Sequence, residues 1–452
     1  MATTYATRTF GTPTSPYKFT ISFWVKRSKL SVSHIAPFTA GTYMSTNMGQ
    51  FLFSGDDTLL CQTYNAAGSV TMAQDTNMTF TDVNGWYNIV LGVDGTLASA
   101  GDRQKLYVNG ELITSLAADT DASQDTDLAW NQNGIVCMLG NRAGISYYFD
   151  GYLSHVHFID GTQYAASDFG STDATTGQWK INTAPSVTYG NNGFFVLKNG
   201  NSLTDQSGNS NDFTLGGGAI LDMKDCPSDV YATNNPLVKQ QTSYAMQYCN
   251  TWCRTSDAAM FCASSTLGIE TGKFYAEVKC GTIEASAKGQ LGISGDVGKL
   301  SNTNDYPGGA SDSYSYASDG AKMSEGSETG GYGDSWTTGD IIGIAYDADN
   351  NKLYFSKNGV WQDSGDPTSG STGTGAISIE APSNTVDGAF FFACGDNATS
   401  GSTTTEYNWN YGNGYFGATA ISSEGTNASG IGKFEYDVPA GYTALSTKGL
   451  NV

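Results

Sequence analysis

The chain has 452 residues, of which 39% are hydrophobic and 12% aromatic, and its 43 acidic residues against 22 basic ones give a net charge of −21. The aromatic content excludes a disordered chain, the length suits two or three domains, and the acidity argues against nucleic acid, whose binding needs a basic surface. We expect no membrane insertion, because no run approaches the roughly 18 apolar residues that a spanning helix needs. The polar first 15 residues do not resemble a signal peptide, so we expect synthesis in the cytoplasm.

The first third of the chain is predicted to form short strands. Residues 18–30 alternate apolar and polar side chains with the period of two that is typical of a half-buried strand. Similar runs follow at 51–64 and 85–96. The pair Asn109-Gly110, flanked by alternating apolar residues, predicts a tight hairpin. No long run has the 3.6-residue period of a helix.

After a less regular stretch at 186–265, the rest of the chain is also predicted to form short strands. A second Asn-Gly pair, Asn358-Gly359, predicts a second tight hairpin. Further strand-like runs lie at 272–280, 290–295, 339–363, 388–397 and 405–414.

These patterns predict an all-β fold, because many short strands with turn residues between them are typical of sandwiches and jelly rolls. We expect two antiparallel β-sandwich or jelly-roll domains in tandem, joined by an irregular connecting segment. The boundaries are residues 1–185 for the first domain, 186–265 for the connecting segment with short strands, and 266–452 for the second domain.

The first domain resembles the laminin-G-like, concanavalin-type jelly roll in the segments FTISFWVKRS, GWYNIVLGVDGT, KLYVNGELI and YFDGYLSHVHFIDGTQY. The sequence that continues from residue 168, DFGSTDATTGQWKINTAPSVTYG, is similar to a segment of virion structural proteins of marine bacteriophages, and DCPSDVYATNNPL resembles the linker that follows it there. These resemblances cover residues 18 to about 235. They imply a jelly roll and a place on a phage particle.

The second domain resembles an SPRY domain from 272 to about 448, in the segments GKFYAEVK, QLGISG, WTTGDIIGIAYDADNNKLYFSKNGVW and YNWNYGNGYFG. The sequence departs from the SPRY pattern at 362–385 and 397–404, which are long and rich in Gly, Ser and Thr. Loops set the choice of partner on such folds, so the resemblance does not identify a ligand.

Enzymes share these folds, but their catalytic motifs are absent from the sequence. Jelly-roll glycosidases place paired carboxylates on one strand, and no E-x-D-x-E cluster occurs. The three histidines, His34, His155 and His157, are not accompanied by a G-x-S-x-G nucleophile motif. His155 and His157 lie two residues apart on a predicted strand, where they could bind a metal or simply face solvent. We therefore expect a protein that is not an enzyme.

Calcium is the one cofactor that the resemblance makes possible, because laminin-G-like folds often hold it at a rim through carboxylates and carbonyl oxygens. The candidate ligands are Asp56, Asp57 and Asp94, and separately Asp205, Asn209 and Asp212. The alternative is that these residues only form turns.

Four of the eight cysteines cluster in the sequence, namely Cys226, Cys249, Cys253 and Cys262. Their spacing is not the paired C-x-x-C of a zinc ribbon, so zinc, a disulfide and inert thiols all stay open.

The candidate ligand-binding residues lie in a long loop rich in Tyr and Gly, at Asn302–Trp336. Aromatic rings with polar tips suit both sugars and protein partners, although they could also anchor the loop. The candidates are Tyr306, Tyr314, Tyr316, Tyr332 and Trp336.

The expected function is that of a phage virion surface protein, a tail-fibre or receptor-binding adhesin that recognises host surface glycan or protein through sandwich loops. A capsid decoration or head-fibre protein is the alternative, since no fibre-shaft repeats occur, and a glycan-cleaving enzyme is a distant one. The expected partners are other virion proteins and further copies of the chain, with a trimer suggested by how phage appendages are built.

Overall fold

The computed structural model describes residues 3–198, 200, 202–238, 245–255, 260–283, 288–300, 305–397 and 404–451. The chain divides into two compact units, Met1–Asp222 with Cys226–Ser228, and Met223–Asp225 with Asp229–Val452. Within the described residues, strands dominate both units and the α-helical content is a single short helix. The predicted all-β class, with two sandwiches in tandem, is confirmed.

The described residues of the first unit contain strands β1 (Tyr5–Thr9), β2 (Lys18–Arg27), β3 (Ile35–Ala40), β4 (Met48–Phe53), β5 (Leu59–Tyr64), β6 (Val70–Thr76), β7 (Tyr87–Asp94), β8 (Gln104–Val108), β9 (Glu111–Leu112), β10 (Leu116–Thr120), β11 (Val136–Leu139), β12 (Gly151–Asp160), β13 (Gly170–Thr172), β14 (Trp179–Ile181), β15 (Phe194–Val196) and β16 (Thr214–Gly217). Short 3-10 turns lie at Ala100–Asp102, Ala129–Asn131 and Ala166–Asp168.

The first unit is a sandwich of two large sheets. One has eight strands in the order β10-β6-β5-β4-β3-β11-β1-β16, and the other has six in the order β15-β12-β2-β7-β8-β9. The predicted common face of β2 is confirmed, since Phe19, Ile21, Phe23 and Val25 all lie in the core, but the strand is buried on both faces and not half-buried as predicted. Their neighbours on β7 keep register with them, for example Ile21 with Leu91, so apolar side chains of both strands enter one core.

The described residues of the second unit contain strands β17 (Ala245–Gln247), β18 (Trp252–Thr255), β19 (Phe261–Ser264), β20 (Lys273–Cys280), β21 (Gly289–Ser294), β22 (Ser313–Ala317), β23 (Lys322–Ser324), β24 (Ser327–Thr329), β25 (Ile341–Asp347), β26 (Lys352–Lys357), β27 (Val360–Trp361), β28 (Ile377–Ser378), β29 (Phe391–Asp396), β30 (Thr405–Asn410), β31 (Tyr415–Phe416), β32 (Thr419–Ala420) and β33 (Thr443–Ala444). Helix α1 is Val297–Leu300, and 3-10 turns lie at Gln362–Ser364, Pro367–Thr372, Pro382–Asn384 and Gly449–Asn451.

The second unit is also a sandwich. One sheet follows the path β17-β18-β30-β20-β25-β26-β27, with β28 paired to β26 and β33 paired in parallel to β20. The facing sheet has the order β19-β29-β21-β22-β23-β24. Aromatic and aliphatic side chains from both sheets, such as Phe274, Phe355 and Phe392, fill the core between them.

Both predicted Asn-Gly hairpins are present. Asn109 and Gly110 join β8 to β9 with φ of 48° and 85°, and Asn358 and Gly359 join β26 to β27 with φ of 49° and 82°. Two consecutive residues with positive φ match the twist of the flanking strands, and Asn and Gly adopt that conformation at low cost.

The stretch 186–265 does not form a separate connecting segment. Within it, β15 pairs with β12 and β16 pairs with β1, so its first part completes the sheets of the first unit. Strands β18 and β19 pair with β30 and β29 and complete the sheets of the second unit. The boundary between the units therefore lies near residues 222–229, because backbone hydrogen bonds assign each part to its own sandwich.

No helix among the described residues is long and apolar enough to span a bilayer.

A buried carboxyl group ties the C-terminal segment to the second sandwich. Glu277 on β20 is fully buried and accepts hydrogen bonds from the backbone N–H groups of Glu435 and Tyr436, both at 2.8 Å. The side chains of Asn410 and Tyr275 also donate to it. Burial raises the pKa of Glu277 to about 7, although these hydrogen bonds act in the opposite direction.

We predict that Glu277 makes the second unit less stable as the pH rises. Its pKa in the folded state lies above the ordinary value of 4.5, so the folded state binds the proton more tightly, and this stabilisation is lost between about pH 4.5 and 7. The loss is on the order of 3 kcal/mol. Calorimetric melting from pH 4.5 to 7.5 should show Glu277→Gln gaining melting temperature relative to the unmodified chain as the pH rises. The exposed Glu270→Gln is the control, and equal pH dependence in both variants would contradict the prediction.

Candidate functional site

Four of the five predicted ligand-binding rings lie in the core of the second unit. Tyr314 and Tyr316 belong to β22, whose residues are all buried, and Tyr332 and Trp336 are buried beside them. The ring of Tyr316 packs against both Tyr332 and Trp336, with centroid distances of 5.5 and 6.2 Å. These rings stabilise the sandwich and are not available to a ligand, which corrects the prediction of a binding loop. Tyr306 is half-buried against Gly309.

The first predicted calcium set is held by internal partners. Asp57 is buried and forms an ion pair with Arg27 at 2.7 Å, while Asp94 pairs with Lys18 at 2.8 Å. Exposed Asp56 accepts hydrogen bonds from Thr58 in its own turn. Among the described residues, the three carboxylates do not come together as a group of possible metal ligands, so the structure does not support this calcium site.

The second predicted calcium set forms a loop scaffold. Asp205 accepts hydrogen bonds from the backbone N–H groups of Phe195, Ser207 and Asn211. Asp212 accepts one from the backbone of Asp205. The amide of Asn209 donates to two backbone carbonyl groups, so its side chain also serves the turn. These hydrogen bonds are those of the turn alternative, and calcium at these residues stays a prediction.

A cluster of three carboxylates that the sequence did not indicate is compact enough to hold a cation. One ligand oxygen from each of Asp312, Glu325 and Glu380 lies within 4.8 Å of the others. Such oxygens are the ligands that calcium and magnesium prefer. The three residues are far apart in the sequence, so no spacing motif could have identified them.

The cysteine cluster contains thiols rather than disulfides. Cys226 and Cys249 are half-buried, whereas Cys253 and Cys262 are buried. Cys253 Sγ lies 3.5 Å from the Sγ of Cys394, which was not part of the predicted cluster. Burial raises the pKa of Cys262 well above its ordinary value, which keeps that thiol protonated and unreactive.

The histidine pair does not form an exposed metal site. A register shift in β12 lies between Ser154 and His157, and both His155 and His157 are buried. His155 Nδ1 lies 2.7 Å from Ser154 Oγ, and His157 Nδ1 lies 2.9 Å from the hydroxyl of Tyr189. Burial lowers the pKa of His155 to about 4, so the ring is neutral at physiological pH.

The outer face of the eight-stranded sheet in the first unit carries a polar row. Alternate residues of β4, β5 and β6 enter the core, and the residues between them, Gln50, Gln62 and Asp75, lie on the opposite face. Gln50 donates to Gln62 at 3.0 Å, and Gln62 in turn donates to the carboxylate of Asp75. The hydroxyl of Tyr64, at the end of β5, also donates to Gln62.

The loop between β11 and β12 lies along β3, which brings further side chains to this face. The backbone N–H of Ala36 donates to the carbonyl of Tyr147 at 3.1 Å. Thr42, just after β3, forms a backbone bridge with Ala143. Arg142 and Tyr147 are therefore fixed beside the two ends of β3.

Four rings and one guanidinium group contact one another in a continuous series beside β3. We call this series, which consists of His34, Tyr147, Arg142, Tyr43 and Tyr64, the aromatic ladder. His34 stacks on Tyr147 at 5.0 Å with an interplanar angle of 13°. The guanidinium carbon of Arg142 lies 5.3 Å from the ring centre of Tyr147 and 4.6 Å from that of Tyr43. Tyr43 meets Tyr64 edge to face at 5.5 Å. All four rings are half-buried, so each keeps part of its surface exposed.

Polar atoms with unmet hydrogen-bonding capacity accompany the aromatic ladder. Gln50 Oε1, Asp75 Oδ1, Asn141 Oδ1 and Arg142 Nε are buried and have no hydrogen-bond partner in the described part of the chain. Leaving such groups unpaired is costly, and in native proteins they commonly serve a bound water, ion or ligand. Burial also raises the pKa of Asp75.

The sequence did not predict this site because its residues come from separate segments that only the sheet brings together. The loop sequence NRAGISYYFD, at 141–150, was the available signal, because it places an arginine close to two tyrosines. Exposed aromatic rings with fixed polar groups nearby are characteristic of small-molecule and sugar sites.

Comparison with known proteins gives one curated relative and several solved structures. A stretch of 56 residues is 43% identical to the dual specificity protein kinase splA of Dictyostelium discoideum, and it covers 12% of this chain and 2% of that protein. The SPRY domain of human HERC1 is 15% identical with a TM-score of 0.29, covering 39% of this chain and 96% of that one. A putative carbohydrate binding protein from Bacteroides ovatus is 15% identical with a TM-score of 0.31, covering 50% and 61%.

Two family models match the chain, one in each unit. Residues 2–167 match the laminin G model described as the concanavalin A-like lectin/glucanases superfamily. Residues 273–376 match the SPRY domain model. Both domain resemblances noted in the sequence are thereby confirmed. The chain carries a concanavalin A-like domain of the laminin G type followed by an SPRY domain.

Proposed function

We propose that the chain is a non-catalytic recognition protein of a bacteriophage particle, which binds carbohydrate on the host surface through the outer face of its concanavalin A-like domain. The observation that carries the proposal is the aromatic ladder, with half-buried rings beside buried polar atoms that lack hydrogen-bond partners. A sugar has an apolar face that packs on the exposed part of such rings and hydroxyl groups that hydrogen-bond polar groups beside them.

The chemistry of this face supports binding rather than cleavage. Glycoside hydrolysis requires a pair of carboxyl groups, about 5 to 9.5 Å apart, on either side of the scissile bond. Asp75 supplies the carboxylate of the polar row, and it is already bonded to Gln62. The proposed role is therefore recognition, in which individually weak contacts gain avidity from many copies on one particle.

The placement on a phage particle rests on the resemblance of residues 168 to about 235 to virion proteins. We propose a tail-fibre or receptor-binding position, in which the chain associates with other virion proteins and with further copies of itself. A capsid decoration role is the second candidate, favoured by the lack of fibre-shaft repeats in the sequence. No cofactor is part of this proposal, since sugar binding by the aromatic ladder requires none.

We predict that Tyr43→Ala and Tyr147→Ala each lower the affinity for a bound oligosaccharide by roughly tenfold, about 1.4 kcal/mol, because each removes the exposed part of a ring from the site. Melting temperatures should fall only modestly, since both rings are half-buried and each variant loses a contact with Arg142 worth about 0.5 to 2 kcal/mol. A glycan array would identify the ligand, and calorimetric titration would measure the affinities. The matched control is Tyr248→Ala, which removes an exposed tyrosine of the second unit. Unchanged affinity in both ladder variants would reject this site.

We predict that gold-labelled antibodies against the chain decorate the tail or the fibre tips of intact virions in electron micrographs. Label spread over the capsid would favour the decoration role. Absence of the chain from purified particles would contradict the virion assignment while leaving sugar binding to be judged by the titrations.

A further inference from the structure

Arg142 is a nearly buried cation without a counter-charge. Its exposed fraction is 6%, and its guanidinium group lies between the rings of Tyr43 and Tyr147. In the described part of the chain the side chain forms no hydrogen bond or ion pair, and its Nε is fully buried without a partner. Burial has the largest influence on the pKa of Arg142 and lowers it, and the titratable side chains that act on it are the phenols of Tyr147, Tyr64 and Tyr43, with no carboxylate among them.

The other three arginines of the first unit each have a side-chain hydrogen bond or ion pair, although Arg8 and Arg103 are only half-buried, and Arg8 Nη1 and Arg27 Nε are also buried without a partner in the described part of the chain. Arg27 pairs with the carboxylate of Asp57 at 2.7 Å. Arg8 donates to the side chain of Asn211, and Arg103 donates to three backbone carbonyl groups. Burying a charge is expensive unless it is paired and hydrogen-bonded, so Arg142 departs from both this chain's own pattern and the general rule. The stacked rings compensate only in part, since a cation–π contact contributes about 0.5 to 2 kcal/mol.

We propose that Arg142 binds an anionic oxygen group of an acidic sugar, either a carboxylate or a sulfate ester. The inference rests on the proposed function and specifies its ligand. A guanidinium group is a planar fork that can form two parallel hydrogen bonds to such a group. The two rings hold the fork in one orientation before the ligand arrives, which lowers the entropic cost of binding.

The net charge of the chain affects which acidic ligands can bind at Arg142. At a net charge of −21 the protein repels polyanions at long range, but this repulsion is screened beyond about 8 Å at physiological ionic strength. An acidic sugar would therefore gain affinity only where it reaches Arg142 directly. Short-range pairing on a repulsive surface favours one specific acidic ligand over polyanions in general.

The test uses the full chain and an array of oligosaccharides in matched pairs. Uronic acids stand beside their methyl esters, and sulfated sugars stand beside their desulfated forms, so that the members of each pair differ at a single anionic group. The two kinds of pair also show whether the anionic group is a carboxylate or a sulfate. The variants are Arg142→Gln, Arg142→Lys and the control Arg254→Gln, which removes an exposed arginine 5.7 Å from Trp252 in the second unit.

We expect the unmodified chain and Arg254→Gln to bind the charged member of a pair at least tenfold more tightly than the neutral member. Arg142→Gln should abolish this preference while keeping the weaker binding of the neutral sugar, and Arg142→Lys should keep part of it. The melting temperature of Arg142→Gln should not fall, because the variant removes an unpaired buried charge.

Three results would overturn the inference. Equal binding of charged and neutral members would do so while leaving the proposed sugar binding intact. A preference for the charged member that survives in Arg142→Gln would place the anion site elsewhere. A structural role for Arg142 would show as a large fall in the melting temperature of Arg142→Gln. In that case Arg142→Lys, and Arg142→Gln measured below its unfolding transition, would both keep the preference for the charged sugar. Failure of every array sugar to bind would reject the proposed function itself.

Discussion

Packing two sheets face to face is the constraint on which this structure depends. It sends every second side chain of a strand into one apolar core, as Phe51, Cys61 and Met72 show on three neighbouring strands. The residues between them must then lie on the opposite face. Gln50, Gln62 and Asp75 occupy those positions and join into one hydrogen-bonded row, in which Gln50 and Asp75 are themselves buried. The sandwich thus supplies a rigid scaffold that fixes this polar row next to the aromatic ladder.

The buried charged groups of the chain are exceptions to this apolar packing, and each needs a structural or functional explanation. Most buried charges in the chain have an evident structural role. Asp57 neutralises Arg27, and Asp160 accepts hydrogen bonds from the backbone N–H groups of Thr14 and Asn192, which fastens two loops to the sandwich. Glu277 does the same for the C-terminal segment of the second unit. Against these paired groups, the guanidinium of Arg142 has only rings beside it, those of Tyr43 and Tyr147, and in our proposal a bound anion offsets the cost of burying its charge.

The fold was largely predictable because it follows from local patterns. The period of two in β2 and the Asn-Gly turns at 109–110 and 358–359 carry their structural meaning in a few residues. The candidate site was not predictable, since the aromatic ladder joins residues from separate strands and loops. The binding role predicted for the Tyr-rich loop was wrong for a related physical reason. Alternation shows which residues share a face, but it cannot show that both faces of β22 are covered, as the burial of all its residues shows, Ser315 as well as Tyr314 and Tyr316.

The central claim is that the outer face of the concanavalin A-like domain is the binding surface. A crystal structure of the chain with the tightest-binding array oligosaccharide tests it most directly. We expect sugar density against Tyr43 and Tyr147, with an anionic group within hydrogen-bonding distance of the Arg142 guanidinium. Density on the loops of the SPRY domain, with the aromatic ladder unoccupied, would contradict it.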